Sequence, residues 1–182
     1  MSVRRVVTGF NSEGKSIVVS DESVPTVRAG LAPGTEWHDI WGVDEPASLP
    51  DDGTRPKPGN YFPPSGGFRF SFFSLPVRES FDFAPDFDLV TALEEFEVKF
   101  PGLAGHMEPD SPGMHTSATV DCGVVLSGEA TMELDDGTMV TMKSGDTFVQ
   151  NGTRHRWLNL GTERVVMAIV LVGADHAGGV NS

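Results

Sequence analysis

The sequence predicts an all-β fold, a sandwich or barrel of short strands, and three observations predict it. Glycine (21 residues) and proline (13) are abundant in the 182-residue chain, which favours frequent turns over long helices. From Met114 onward, strand-like stretches at 114–126, 129–134, 138–142, 147–150, 155–159 and 164–172 are separated by Ser127-Gly128, Asp135-Asp136-Gly137, Ser144-Gly145-Asp146, Asn151-Gly152 and Leu160-Gly161. Short strands with turn residues at this spacing are the pattern of a sandwich or barrel. Elsewhere a single stretch, Asp86 to Phe100, has the spacing of a helix.

Near the N-terminus, Arg4–Thr8 and Ser16–Ser20 flank the turn Asn11-Ser12-Glu13-Gly14 and read as a hairpin. Thr35–Val43 is a third strand, carrying Trp37, His38 and Trp41. Residues 44–67 hold six prolines and four glycines, the composition of a long irregular loop. Loops of this length are commonly functional covers, and this one is expected over the mouth of the fold. In Gly67–Val77, Phe68, Phe70 and Phe72 alternate with Arg69, Ser71 and Phe73, as in a strand. The helix is capped by Asp86 or Asp88, aligns Leu89, Ala92, Leu93 and Phe96, and ends at Pro101-Gly102. Val165–Val172 is continuously apolar and reads as a strand covered on both faces. The organisation is therefore N-terminal strands and loop over 1–80, helix and loop over 81–112, the strand-rich core over 113–174, and a glycine-rich flexible tail over 175–182.

The net charge of −13 disfavours nucleic acid and anionic membranes as partners and favours solubility. A lone cysteine, Cys122, excludes an intrachain disulfide and a cysteine-rich zinc site. The start MSVRRVV lacks the apolar core of a signal peptide, and no stretch approaches the ~20 apolar residues of a membrane span. The expectation is a cytoplasmic protein acting on a small molecule.

Strand side chains alternate between faces, so His115, Ser117, Thr119 and Asp121 leave one face together. Facing outward they would be ordinary surface. Facing inward they form a polar patch in an apolar cavity, which calls for metal, water or ligand. His155, after the turn Asn151-Gly152-Thr153-Arg154, can approach the same spot from a neighbouring strand.

The stretch His115–Gly128 (HTSATVDCGVVLSG) resembles the first motif of the cupin superfamily, and Gly145–Asn159 (GDTFVQNGTRHRWLN) resembles the second. The inter-motif hairpin is EATMELDDGTMVTMKS. The resemblance implies a cupin-type double-stranded β-helix, a jelly-roll-like barrel, with an N-terminal strand extension and one short helix. It also implies a homodimer, because added N-terminal strands in this superfamily often pair with a second subunit, and exposed sheet edges call for such cover.

Metal-binding cupins offer two histidines two residues apart, a glutamate and a later histidine. Here His115 keeps the first position, Ser117 stands at the second, Asp121 replaces the glutamate, and His155 matches the later histidine. Gln150 stands where a proline is common. The remaining set, His115, Asp121 and His155, resembles a facial triad for one divalent metal, Fe, Zn, Mn or Ni, with no organic cofactor. The metal-free alternative pairs Asp121 with His115 or His155, and a carboxylate beside imidazole in an apolar interior has shifted proton affinities suited to acid–base work.

Three functions follow. The first is a lyase or isomerase (dehydratase, decarboxylase or cyclase) acting on an oxygenated aromatic or polyketide-like substrate. In it His115, Asp121, His155 and Ser117 are catalytic, and Ser117 and Thr119 orient water or substrate. The second is a metal-dependent dioxygenase, and the third a non-catalytic binder or sensor. Phe70, Phe72 and Trp157 are candidate aromatic lining, against the plainer reading of core. His38 reads as packed or surface, His106 as a loop residue that could replace the missing imidazole, and His176 as part of the flexible tail. Cys122 has the opposite parity to Asp121 and faces away from the pocket.

Overall fold

The computed structural model describes residues 2–77 and 83–177. The elements are β1 (Val3–Phe10), β2 (Ser16–Val24), β3 (Glu36–Val43), β4 (Phe68–Leu75), α1 (Leu89–Lys99), a 3-10 turn (Ala104–His106), β5 (Thr119–Ser127), β6 (Glu129–Glu133), β7 (Met139–Lys143), β8 (Thr147–Asn151), β9 (Arg156–Leu158) and β10 (Val165–Gly173). Among the described residues no helix is long and apolar enough to cross a membrane. Residues 178–182, most of the expected tail, lie outside the described residues.

The strands pair into three sheets: β1-β2, β3-β4-β10-β5-β8 and β7-β6-β9. Every pairing is antiparallel. The five-stranded and three-stranded sheets pack their apolar faces together. Val125, Val165, Met167, Ile169 and Leu171 from the first share a core with Ala130 and Met142 from the second. That burial is the main stabilising force of the fold.

The closed barrel expected from the strand pattern is not formed. The sheets stay open, because β9 is three residues long and pairs with β6 alone, while β3 and β8 end the long sheet as edges. The turn-rich pattern specifies strands and alternation but is the same for a sandwich and a barrel. Closure depends on edge pairing, which alternation does not encode.

The helix is shorter than its apolar spacing suggested. Asp88 is the cap, its carboxylate accepting from the Thr91 N–H at 3.1 Å, so Asp86 lies outside. Ala92 and Phe96 are its buried residues, and Lys99 ties it to the Arg28 carbonyl and to Glu95.

The proline-rich loop is anchored by a buried arginine. The Arg69 guanidinium donates to the carbonyls of Asn60 (2.7 Å), Val43 (2.7 Å) and Phe68 (3.0 Å) and pairs with Asp44. The early part of the loop lies along the hairpin, with the Phe10 N–H bonded to the Asp51 carbonyl. Its end runs past β10, where the Gly173 N–H meets the Gly67 carbonyl at 2.9 Å.

That approach needs a glycine. A Cβ on Gly173 would lie 1.8 Å from the Pro64 carbonyl oxygen. Gly173→Ala is expected to cost about 1–3 kcal/mol or more, through displacement of the 61–67 segment. Urea unfolding measures it, and a midpoint equal to that of the wild type would contradict the close approach.

Candidate active site

Between the two packed sheets lies a cavity of about 440 Å³, within the usual range for a small-molecule site. Its walls are mostly apolar: Trp37, Phe73, Leu75, Phe148, Trp157, Ile169 and Leu171 from the strands, Phe96 from the helix, and Tyr61 and Phe62 from the proline-rich loop. The polar groups converging on it include His115, Asp121 and His155.

The two imidazoles are brought together by backbone. His115 and His155 form an isolated antiparallel bridge, exchanging N–H to carbonyl hydrogen bonds of 3.0 and 2.9 Å, and their ring centroids are 4.4 Å apart. His115 thus precedes β5 rather than lying on it. Its Nδ1 is 3.0 Å from the Gly113 carbonyl, which fixes the proton there in the neutral ring and leaves Nε2 as acceptor. Burial pushes the His115 pKa down, partly opposed by that carbonyl. Burial of His155, with His115 beside it, pulls its pKa to about 4. Both imidazoles are therefore neutral at neutral pH.

Asp121 comes from β5, only 5% exposed. Its Oδ1 accepts from the Thr119 hydroxyl at 2.5 Å, and Thr119 in turn meets the Ser117 hydroxyl at 2.8 Å. Of the four residues expected to share a face, 115, 117, 119 and 121, the last three are linked in this hydroxyl ladder, while His115 joins His155. Ser117 and Thr119 are buried behind Asp121 rather than on the cavity wall. Burial raises the Asp121 pKa to about 6 despite the Thr119 hydrogen bond. Among the described residues Asp121 makes no hydrogen bond or ion pair with either imidazole; all three groups face the cavity instead.

The metal-binding expectation is corrected here. Among the described residues no three His, Cys, Asp or Glu side chains are grouped so that they could hold one metal ion. The hydroxyl ladder draws the Asp121 carboxylate toward Thr119, and its short side chain does not join the imidazole pair.

Trp157 lines the cavity, 4.7 Å from Phe148 between ring centroids. Phe148 can lie against β5 because Gly123 has no side chain; a Cβ there would meet the ring at 2.3 Å. Phe70 and Phe72 leave the other face of β4, 5.8 Å apart, and Ser71, Phe73 and Leu75 reach the cavity in their place. His38 is fully buried and bonded to the Thr26 hydroxyl at 3.0 Å. His106 holds the Gly102 carbonyl and packs on Phe62, which also contacts His115. His176 rests on Gly152, 3.3 Å from its carbonyl. Cys122 is exposed on the outer face.

Two contributors escaped sequence reasoning. Tyr61, the sole tyrosine, sits in an irregular loop with no period to orient it. Burial, with the charge of Asp121 nearby, pushes its phenol to about 12, so it stays protonated. Gln150, 2% exposed, contacts the His155 ring, its amide nitrogen 3.1 Å from Nδ1. Its polar type at an inward strand position was the available signal.

Residues 105–172 match the family model described as Cupin domain. Over 48 residues the chain is 48% identical to Oryzines biosynthesis cluster protein J of Aspergillus oryzae, covering 26% of this chain and 27% of that protein. Over 51 residues it is 41% identical to a cupin-domain-containing oxidoreductase of Aspergillus ruber, covering 28% and 25%. The chain thus spans about a quarter of the length of these curated relatives. The Schizosaccharomyces pombe Cnp3 cupin domain superposes with a TM-score of 0.48 at 10% identity, over 98% of this chain and 96% of that one. Both sequence motifs lie inside the matched span, so residues 105–172 are similar to a cupin domain.

Proposed function

We propose that the protein is an acid–base lyase or isomerase acting on an oxygenated aromatic or polyketide-like carbonyl compound. The observation that carries this reading is one apolar cavity holding a carboxyl group poised near pH 6 and two neutral imidazoles. A carboxylate with a raised pKa is a competent base at neutral pH, and a neutral imidazole is a good partner for a carbonyl oxygen that gains charge. Asp121 takes a proton from the carbon next to the carbonyl. The electron pair moves onto the oxygen, which His155 meets with a hydrogen bond, and the resulting enol or enolate stays in the cavity. The proton on Asp121 then returns to another carbon, giving an isomer, or to a leaving group, giving elimination. The aromatic walls suit a flat substrate.

Asp121 works as base only when ionised. The expected kcat/KM therefore falls on the acid side with a midpoint of about 6, set by burial of that carboxyl, and is level above it. His115, His155, Tyr61 and Glu108 line the same cavity; burial holds His155 at about 4 and Tyr61 at about 12, both outside this limb, and pushes His115 down. A profile without an acid limb, or one surviving intact in Asp121→Asn, would sink this role.

The names of matched relatives favour a second reading, redox chemistry in the same cavity. Oxygen uptake accompanying substrate loss would select it, whereas conversion to an isomer or elimination product without oxygen uptake selects the first.

We also propose that the working species is a homodimer. On the outer face of the long sheet, Phe70, Phe72, Val124, Cys122, Val149, Val170 and Val172 lie side by side in register, and no Asp, Glu, Lys or Arg interrupts them. Val149 is 61% exposed and Cys122 is also exposed. In a chain of net charge −13 this is where a second copy approaches with least repulsion. Light scattering is expected to give twice the 19.5 kDa chain mass, and Val149→Glu to shift it toward monomer. A wild-type monomer at micromolar concentration would refute the dimer.

A further inference from the structure

Gln150 is placed to act on the site without touching substrate. It lies on β8, directly across the strand pair from Asp121, so the two side chains share the inner face. Its amide nitrogen donates to the Thr153 carbonyl (2.5 Å) and reaches the Thr153 hydroxyl (3.0 Å) and His155 Nδ1 (3.1 Å). Its oxygen Oε1 is buried and has no hydrogen-bond partner among the described residues. An unpaired buried acceptor is costly, and this one sits on a side chain whose nitrogen is fully engaged.

His155 Nδ1 lies between opposite partners. The Thr153 carbonyl at 2.9 Å can only accept, so it favours a proton on Nδ1. The Gln150 amide can donate, favouring a bare Nδ1 and a proton on Nε2, the nitrogen left for the cavity. His115 differs, because among the described residues its Nδ1 is held by the Gly113 carbonyl alone. The two imidazoles are therefore differently equipped: His115 offers an acceptor, and His155 can offer a donor.

We propose that Gln150 is a positioning residue that couples Asp121 to His155. Its amide N–H holds His155 with the proton on Nε2, and its free oxygen receives the O–H of Asp121 once that carboxyl has taken a proton. The first contact supplies the hydrogen bond that a developing oxyanion needs. The second stabilises the protonated base after transfer, filling the vacant acceptor at the moment a donor appears. This rests on the proposed acid–base reading for its purpose, but the contacts are testable without substrate.

The test is nitrogen-15 NMR of the histidine rings together with carbon-13 NMR of the Asp121 carboxyl, in the wild type, Gln150→Met and Gln150→Glu. In the wild type, His155 is expected to carry its proton substantially on Nε2. In Gln150→Met the Thr153 carbonyl is left as partner, and the proton moves to Nδ1. The Asp121 titration moves down by up to about one pH unit, since its protonated form loses an acceptor. Gln150→Glu places an acceptor beside Nδ1, so it also moves the proton there and raises the His155 pKa. It serves as the second variant if Gln150→Met does not fold. A wild-type His155 protonated only on Nδ1, an unchanged proton position in the variants, or an Asp121 titration unmoved in Gln150→Met would each overturn the coupling. If the ring proton and Asp121 respond as stated while no carbonyl compound is turned over, the coupling stands and the proposed reaction falls.

Discussion

His155→Ala is expected to lower kcat/KM by about 10²- to 10⁴-fold, the usual loss on removing a positioned acid–base group. The effect should fall mainly on kcat, because the imidazole meets charge that develops during reaction rather than charge already on the substrate. The fold should persist, since the link between positions 115 and 155 is a main-chain pair that alanine keeps. His155→Gln, whose amide can donate a hydrogen bond from nearby, should recover part of the loss. The measurement is conversion of the substrate that the wild type turns over, followed by NMR, with circular dichroism as the check on folding. A folded alanine variant with wild-type turnover would remove His155 from the reaction.

Arg69→Met is expected to have the largest effect on stability, about 3–5 kcal/mol by chemical denaturation. Methionine fills much of the volume but leaves the Asn60, Val43 and Phe68 carbonyls without their donor and Asp44 without its counter-charge. Asp44 is also held by the Gly59 N–H, and its pKa is lowered. Its side chain is 39% exposed, so water takes over part of its solvation and the carbonyls carry most of the loss. Arg69→Lys should recover only a fraction, since one ammonium cannot serve a planar fork of acceptors. The loop that Arg69 anchors delivers Tyr61 and Phe62 to the cavity, so substrate affinity should weaken along with stability. A loss below about 1 kcal/mol would show that the anchor is not formed in solution.

The strands from β5 onward were legible because turn chemistry is local. Gly128, Asp136-Gly137, Gly145 and Gly152 take positive φ at the turns that separate the strand-like stretches. The parity of 117, 119 and 121 was legible for the same reason, since alternation fixes relative facing. Absolute facing is another matter. Aromatic character points Phe70 and Phe72 inward, yet Ser71, Phe73 and Leu75 line the cavity, because the outer face of this sheet is also apolar and character no longer separates the two. Openness of the sheets was illegible because edge pairing leaves no period in the sequence. Tyr61 and Gln150 were missed for opposite reasons, one lying in a loop without periodicity and the other acting through contacts that only the folded strands create.

The main-chain clasp between positions 115 and 155 has a consequence for how such a protein could be altered. The separation and mutual tilt of whatever side chains stand there are imposed by peptide geometry rather than by the side chains themselves. The pair is thus an interchangeable mount. Acidic, amide or thiol groups introduced at both positions would be delivered to the same wall of the same chamber, which makes these two residues the natural place to reprogram the chemistry while leaving the scaffold untouched.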